Sequence, residues 1–259
     1  KSVDLIQKVE HNIVMIRQIL EELKEWKKNP HRKPLIIEGA RQVGKTWIMK
    51  EFGRTCYKKT AYLNFDKNER LKEIFESSIE PERLIPLLKI ESGVEIDASD
   101  TLIIFDEVQE VPRALSSLKY FCEDAPEYSI VCAGSLMGIA LHQGTSFPVG
   151  KVDFLKMYPM NYREFLFALG ENGLCSLLEK KDYESSNIFR DKFIELLKIY
   201  YFVGGMPEAV LSYVNEKSFE KVRQIQNNIL NYYEQDFSKH APVNQISRLN
   251  MVWNSVPSQ

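Results

Sequence analysis

Two rhythms of apolar residues alternate along the first part of this chain, one helical and one strand-like. From Ile6 through Val9, Ile13, Ile16, Leu20 and Leu23 the apolar positions recur at steps of three and four, which predicts an amphipathic helix over 4–28, closed by Asn29 and Pro30. Residues 34–38 form a short apolar run expected to be a buried strand, and 47–52 return to helical spacing until Gly53. A second strand is predicted at 60–65, then helices at 69–75 and 81–91, the latter kinked or restarted by Pro86. The third strand begins at Thr101, and 112–124 is a helix with Leu115, Leu118, Phe121 and Cys122 on one face. Residues 128–133 and 152–157 supply strands four and five. Strands alternating with helices imply an α/β fold, a five-stranded parallel sheet covered on both sides.

Beyond Asn161 the strand rhythm stops. Segments 161–169, 187–203, 207–214 and 218–237 read as helices, the last with Phe219, Val222, Ile225, Ile229 and Tyr233 at helical spacing. An α-helical subdomain is therefore expected after the sheet. Between strands four and five, 138–150 is rich in Gly, Ser and Thr and reads as a mobile loop beside the ligand end of the sheet.

The chemistry sits at the strand ends. Gly39-Ala40-Arg41-Gln42-Val43-Gly44-Lys45-Thr46 satisfies G-x-x-x-x-G-K-[ST] between a strand and a helix, the context in which that pattern binds a nucleoside triphosphate. Gly39 and Gly44 let the backbone coil so that successive N–H groups face phosphate oxygens, and the helix opened by Trp47 adds its positive end. The candidate nucleotide-binding residues are thus Gly39, Ala40, Arg41, Gln42, Val43, Gly44, Lys45, Thr46 and Trp47. Lys45 reaches the β and γ phosphates, and the Thr46 hydroxyl is a candidate ligand of Mg²⁺.

The third strand, Thr101-Leu102-Ile103-Ile104-Phe105, ends in Asp106 and Glu107 and looks like a Walker B strand. Asp106 is the candidate second metal residue, acting through a water. Glu107 is the candidate base that deprotonates an attacking water, which favours hydrolysis over transfer to another molecule. No N-K-x-D or T-K-x-D guanine-reading motif is present, so ATP is the expected nucleotide.

Composition removes other classes. With 44% hydrophobic and 27% charged residues the 259-residue chain resembles an ordinary globular protein, which excludes disordered and fibrous readings. No apolar run approaches a membrane span and no signal-peptide pattern opens the chain, so a cytoplasmic protein without membrane contact is expected. Cys56, Cys122, Cys132 and Cys175 lack C-x-x-C spacing, and the four histidines are dispersed, so neither disulfides nor a structural metal is expected. A net charge of -2 gives no global case for nucleic acid, and the cluster Lys24, Lys27, Lys28, His31, Arg32 and Lys33 reads better as a solvated face.

With these motifs in hand, the chain resembles the prokaryotic AAA-type P-loop ATPases that carry a second, C-terminal domain, restriction-nuclease-like and of unknown function. The matching runs are GARQVGKT, TLIIFDEVQEVP, LKYFCEDAP, VCAGSLMGIAL, SFPVGKVDFLKMYPMNYREFL and YYFVGGMPEAV. The resemblance implies a core with an extra strand between the two Walker strands, followed by a helical lid. It implies a γ-phosphate sensor at Ser135, which is therefore a third candidate catalytic residue beside Lys45 and Glu107. Gly204-Gly205-Met206-Pro207 is similar to a lid motif packing near the adenine, although glycines before proline equally end one helix and start another.

The family's arginine after the glycine of Phe147-Pro148-Val149-Gly150 is replaced here by Lys151, which lacks a bidentate fork, and Arg163 is the other candidate finger. The division implied is an ATPase core over 1–169, a lid over 170–242, and over 243–259 the start of a further C-terminal region whose first helix is 245–253. A C-terminal effector domain outside this chain and self-association follow from the resemblance as expected partners. Two readings of function stay open: an ATPase driving a conformational change, or a slow nucleotide-gated switch. A nucleic-acid-associated ATPase in defence or DNA processing is a third.

Overall fold

In the computed structural model, which describes residues 17–134, 148, 150–240 and 243–256, five strands form one parallel sheet. They are β1 (Leu35–Glu38), β2 (Lys59–Asn64), β3 (Thr101–Asp106), β4 (Ser129–Ala133) and β5 (Asp153–Lys156), in the spatial order β2-β3-β4-β1-β5. β4 lies between the strands that carry the two motifs, the extra strand implied by the resemblance. The register aligns Asn64 with Asp106, Asp106 with Ala133, and Ala133 with Ile37, so the carboxyl ends form one rim.

Successive residues of β1, β3 and β4 face opposite layers, and both layers are apolar, which is why these strands read as continuous hydrophobic runs. On one face Ile36, Ile103, Phe105, Ile130 and Cys132 pack against α3 (Glu69–Ser77), α4 (Pro81–Ser92) and α5 (Pro112–Asp124). The rings of Phe65, Phe75 and Phe105 meet there at centroid distances of 5.3 to 5.7 Å. On the other face Leu35, Ile37, Leu102, Ile104 and Val131 pack against α1 (Ile19–Lys28) and α2 (Lys45–Cys56). Each fully buried side chain of this size contributes roughly 1.5–3 kcal/mol, so the central strands are anchored from both sides.

Some boundaries differ from expectation. α2 runs through Gly53 to Cys56, because a side chain at 53 would collide with Thr60; the glycine admits β2 against the helix and does not end it. Pro86 lies inside a single helix α4. The predicted 187–203 helix is two, α8 (Tyr183–Ile188) and α9 (Arg190–Val203), with the break at Phe189. α7 (Asn172–Lys180) escaped the periodicity reading, having Gly173 in its first turn and only Leu174 and Cys175 buried. Of the predicted N-terminal helix the structure describes residues 17–28, and within them the helix runs Ile19–Lys28.

After β5 the chain is helical. α6 (Tyr162–Ala168) starts with a capping box in which Asn161 and Glu164 satisfy each other's backbone N–H groups. α10 (Pro207–Glu216) and α11 (Phe219–His240) enclose a second core with Met160, Phe165, Val203, Ala209, Val210 and Val222. α12 (Val243–Ser255) packs on α11, with Trp253 stacked on Tyr233 at 5.8 Å.

Candidate active site

The loop between β1 and α2 is shaped by two left-handed residues, Gln42 with φ 64° and Gly44 with φ 96°. Gly39 is required for a different reason: a Cβ there would run into the carbonyl oxygen of Met157, whose N–H donates to Glu38 O at 2.7 Å. The loop wraps Lys45, which is only 8% exposed. Its Nζ donates to Gly39 O at 2.8 Å and Ala40 O at 2.7 Å, so the ammonium is held inside the ring of loop backbone. Burial pushes its pKa down, and the carboxylates of Glu107 and Asp106 oppose that shift.

Those carboxylates arrive from β3. Thr46 Oγ1 donates to Asp106 Oδ2 at 2.8 Å, joining the first turn of α2 to the end of the strand. The same oxygen accepts the Tyr62 hydroxyl of β2 at 2.8 Å. Burial, then the bond to Asp106, pushes the Tyr62 pKa well up, so it stays a donor. Glu107 follows with φ 53°, a left-handed conformation that costs a non-glycine residue of order 1 kcal/mol or more. It turns the chain out of the strand, and its Oε2 accepts from Gln109 Nε2 at 2.6 Å.

The helical subdomain supplies the facing wall. Gly204 ends α9 with φ 72°, Gly205 packs so tightly on the Met160 backbone that no side chain fits, and Pro207 opens α10. The glycine motif therefore both ends one helix and starts the next, and it brings Pro207 and Glu208 to the pocket wall. Tyr232, Gln235 and Asp236 of α11 line the same pocket, whose volume is about 690 Å³. α11 is tied to the loop twice: Tyr233 donates to Arg41 O at 2.8 Å, and Asp236 Oδ2 lies 2.5 Å from Arg41 Nε, an ion pair whose N–H does not point along the contact.

A second tie runs below the loop. Arg17, 3% exposed, gives Nη1 to Val43 O at 2.9 Å, Nη2 to Tyr158 O at 2.6 Å and Nε to Glu164 Oε1 at 3.2 Å. Glu164 thus caps α6 and pairs with Arg17 at once, so Arg17, the loop after β1 and α6 share one buried charge cluster.

Of the residues singled out from sequence, Arg41, Gln42, Gly44, Lys45, Thr46, Trp47, Asp106 and Glu107 line one pocket. Gly39 and Ala40 contribute carbonyls to Lys45, while the Val43 side chain is buried in the core and only its backbone faces the loop contacts. Ser135 lies outside the described residues, as does nearly all of 138–150. Neither finger candidate lines the pocket: Lys151 pairs with Glu123 at 2.7 Å and Arg163 with Glu179 at 3.3 Å.

Within the basic cluster, Lys24 and Lys28 pair with Glu21 and Glu25, and Lys27 bonds Cys56 O. Tyr62, Gln109, Tyr233, Asp236 and Arg17 were not found from sequence.

The donor set fits a nucleotide and a divalent ion. A glycine-lined cradle and an inward ammonium suit a polyphosphate, and one hydroxyl with one carboxylate suits Mg²⁺, which keeps waters and takes its remaining oxygens from phosphate. Among the described residues no group of three or more His, Cys, Asp or Glu is placed to hold a metal by itself.

A family model described as an AAA domain matches residues 31–166, just over half of the chain. The chain belongs to the AAA domain family. The matched region of this AAA protein contains the loop, Asp106 and Glu107, and a second model, described as a domain of unknown function, matches residues 194–259. No curated protein matches.

Among solved structures the AAA chain is similar to C. elegans PCH-2 at 15% identity and TM-score 0.42, covering 78% of this chain and 62% of that one. It is similar to Drosophila ORC bound to DNA at 17% and 0.45, covering 89% and 75%. It is also similar to the Thermotoga maritima RuvB Holliday junction branch migration motor at 10% and 0.44, covering 78% and 61%. The chain thus spans about three fifths of the length of PCH-2 and RuvB. Among the described residues no helix is long and apolar enough to cross a membrane.

Proposed function

We propose that this AAA domain binds ATP with Mg²⁺ in the pocket between the sheet rim and the helical lid, and hydrolyses it there. The observation that carries the reading is the junction of Lys45, Thr46 and Asp106, three groups from two elements converging on one end of the loop within hydrogen-bonding distance of their partners. The loop amides and the Lys45 ammonium bind the β and γ phosphates. Thr46 and Asp106 would hold the metal, which would supply charge to offset that developing on the phosphate oxygens. Glu107 orients water and accepts its proton, and Pro207 and α11 form the facing wall of the pocket.

The division into a core over 1–169, a lid over 170–242 and a further region from 243 gives the cycle its mechanics: a change at Arg41 is felt directly by α11. The partner that reads this movement is an attached C-terminal domain or a second copy. A reducing cytoplasm suits four cysteines that are all unpaired.

The test is steady-state turnover of Mg·ATP. Wild type should turn over, and Glu107→Gln should bind nucleotide with similar affinity while losing at least about 100-fold in rate. Tight nucleotide binding by the wild type without turnover would favour the slow switch instead.

A further inference from the structure

We infer that Tyr62 is a positioning residue for the metal carboxylate, fixing Asp106 so that Oδ1 is the oxygen it presents to a bound divalent ion; this rests on the nucleotide reading of the site. β2 and β3 pair in parallel with Tyr62 opposite Ile104 and Asn64 opposite Asp106. Ala61 and Leu63 are buried in the layer containing α3, α4 and α5, so Tyr62 projects to the opposite face, the one shared by Ile104, Asp106 and α2. From there its hydroxyl reaches diagonally across one strand to the carboxylate. The ring is held from α2 by Lys50, whose Nζ lies 3.8 Å from its centroid.

Acceptor counting gives the contact its consequence. A carboxylate oxygen has about two lone-pair sites, and on Asp106 Oδ2 the Thr46 and Tyr62 hydroxyls take both, each at 2.8 Å. Among the described residues Oδ1 accepts no hydrogen bond from protein. Thr46 alone could not define this arrangement: its hydroxyl is also the metal ligand, and its geometry changes when it offers a lone pair. Tyr62 is bound to nothing else at the site, so it anchors the carboxylate independently. Groups that orient metal-binding side chains in this way typically change metal affinity by about 10- to 100-fold when removed.

The experiment compares wild type with Tyr62→Phe, which deletes one oxygen and keeps the ring and its Lys50 contact. Nucleotide binding is measured by calorimetry in EDTA and across a MgCl₂ titration, with the Mg²⁺ dependence of turnover in parallel. The expected result is a roughly tenfold rise in the Mg²⁺ concentration for half-maximal effect in both assays, an EDTA affinity within about twofold of wild type, and turnover recovering at saturating Mg²⁺. An unchanged Mg²⁺ midpoint overturns the inference and leaves the nucleotide reading intact. An equal loss of affinity in EDTA also overturns it, because the role is then structural. A wild type that binds nucleotide with no dependence on Mg²⁺ overturns both.

Discussion

At the scale of single residues, the site depends on backbone shape as much as on side-chain chemistry. Gly39 shows this most plainly, because Met157 O occupies the place its Cβ would take and Met157 is itself hydrogen bonded to Glu38. Gly39→Ala must therefore push β5's exit away from the loop. We expect a loss of about 1–3 kcal/mol in urea unfolding together with weakened nucleotide binding; a variant as stable as wild type would show that the loop yields without cost. The pattern G-x-x-x-x-G-K-[ST] made Lys45, Thr46 and the glycines legible because that chemistry demands fixed residue types at fixed spacing. Asp106 and Glu107 were legible because two acids end an apolar strand downstream of that pattern. Tyr62 and Gln109 were not, since a tyrosine in a strand and a glutamine in a turn are ordinary until the pairing register shows what they touch.

At the scale of elements, α11 ties the helical subdomain to the loop between β1 and α2. Tyr233 and Asp236 are three residues apart and so share a face of the helix, one bonding the Arg41 carbonyl and the other pairing with its side chain. Asp236→Asn removes the charge and keeps the shape. The pair is partly exposed, so screening limits its value to about 1 kcal/mol. Amides of α11 near residue 236 should then exchange with deuterium several-fold faster while those of β3 stay unchanged; equal protection in both chains would mean that the pair does not hold the helix.

Helical spacing revealed α11 in advance, but not its contact with the loop, because periodicity reports which face is buried and not against what. The same limit hid the break at Phe189 and turned Gly53 into an apparent stop. A glycine at a helix end and a glycine admitting a neighbouring strand look alike in sequence.

At the scale of the whole molecule, strand order 2-3-4-1-5 sets the two motif strands on either side of β4 and lines their carboxyl ends along one rim. Alternation of strands and helices made the α/β class legible, and the family resemblance supplied the inserted strand. What sequence could not convey is which residues hold the loop. Arg17, Val43, Tyr158 and Glu164 meet in a buried cluster beneath the loop, while Arg41 and Asp236 meet above it. The loop is thus held on one side by Arg17 and on the other by Asp236 of α11.

On the proposed function, this loop grips Mg·ATP through Lys45. Titrating Mg·ATP into the intact chain in a calorimeter tests it directly. Saturable heat from one site per chain is expected, with at least about 100-fold weaker binding after Lys45→Ala, the loss of a buried charge-assisted contact to phosphate. Absence of heat with the intact chain, or an unaltered isotherm with Lys45→Ala, would contradict it.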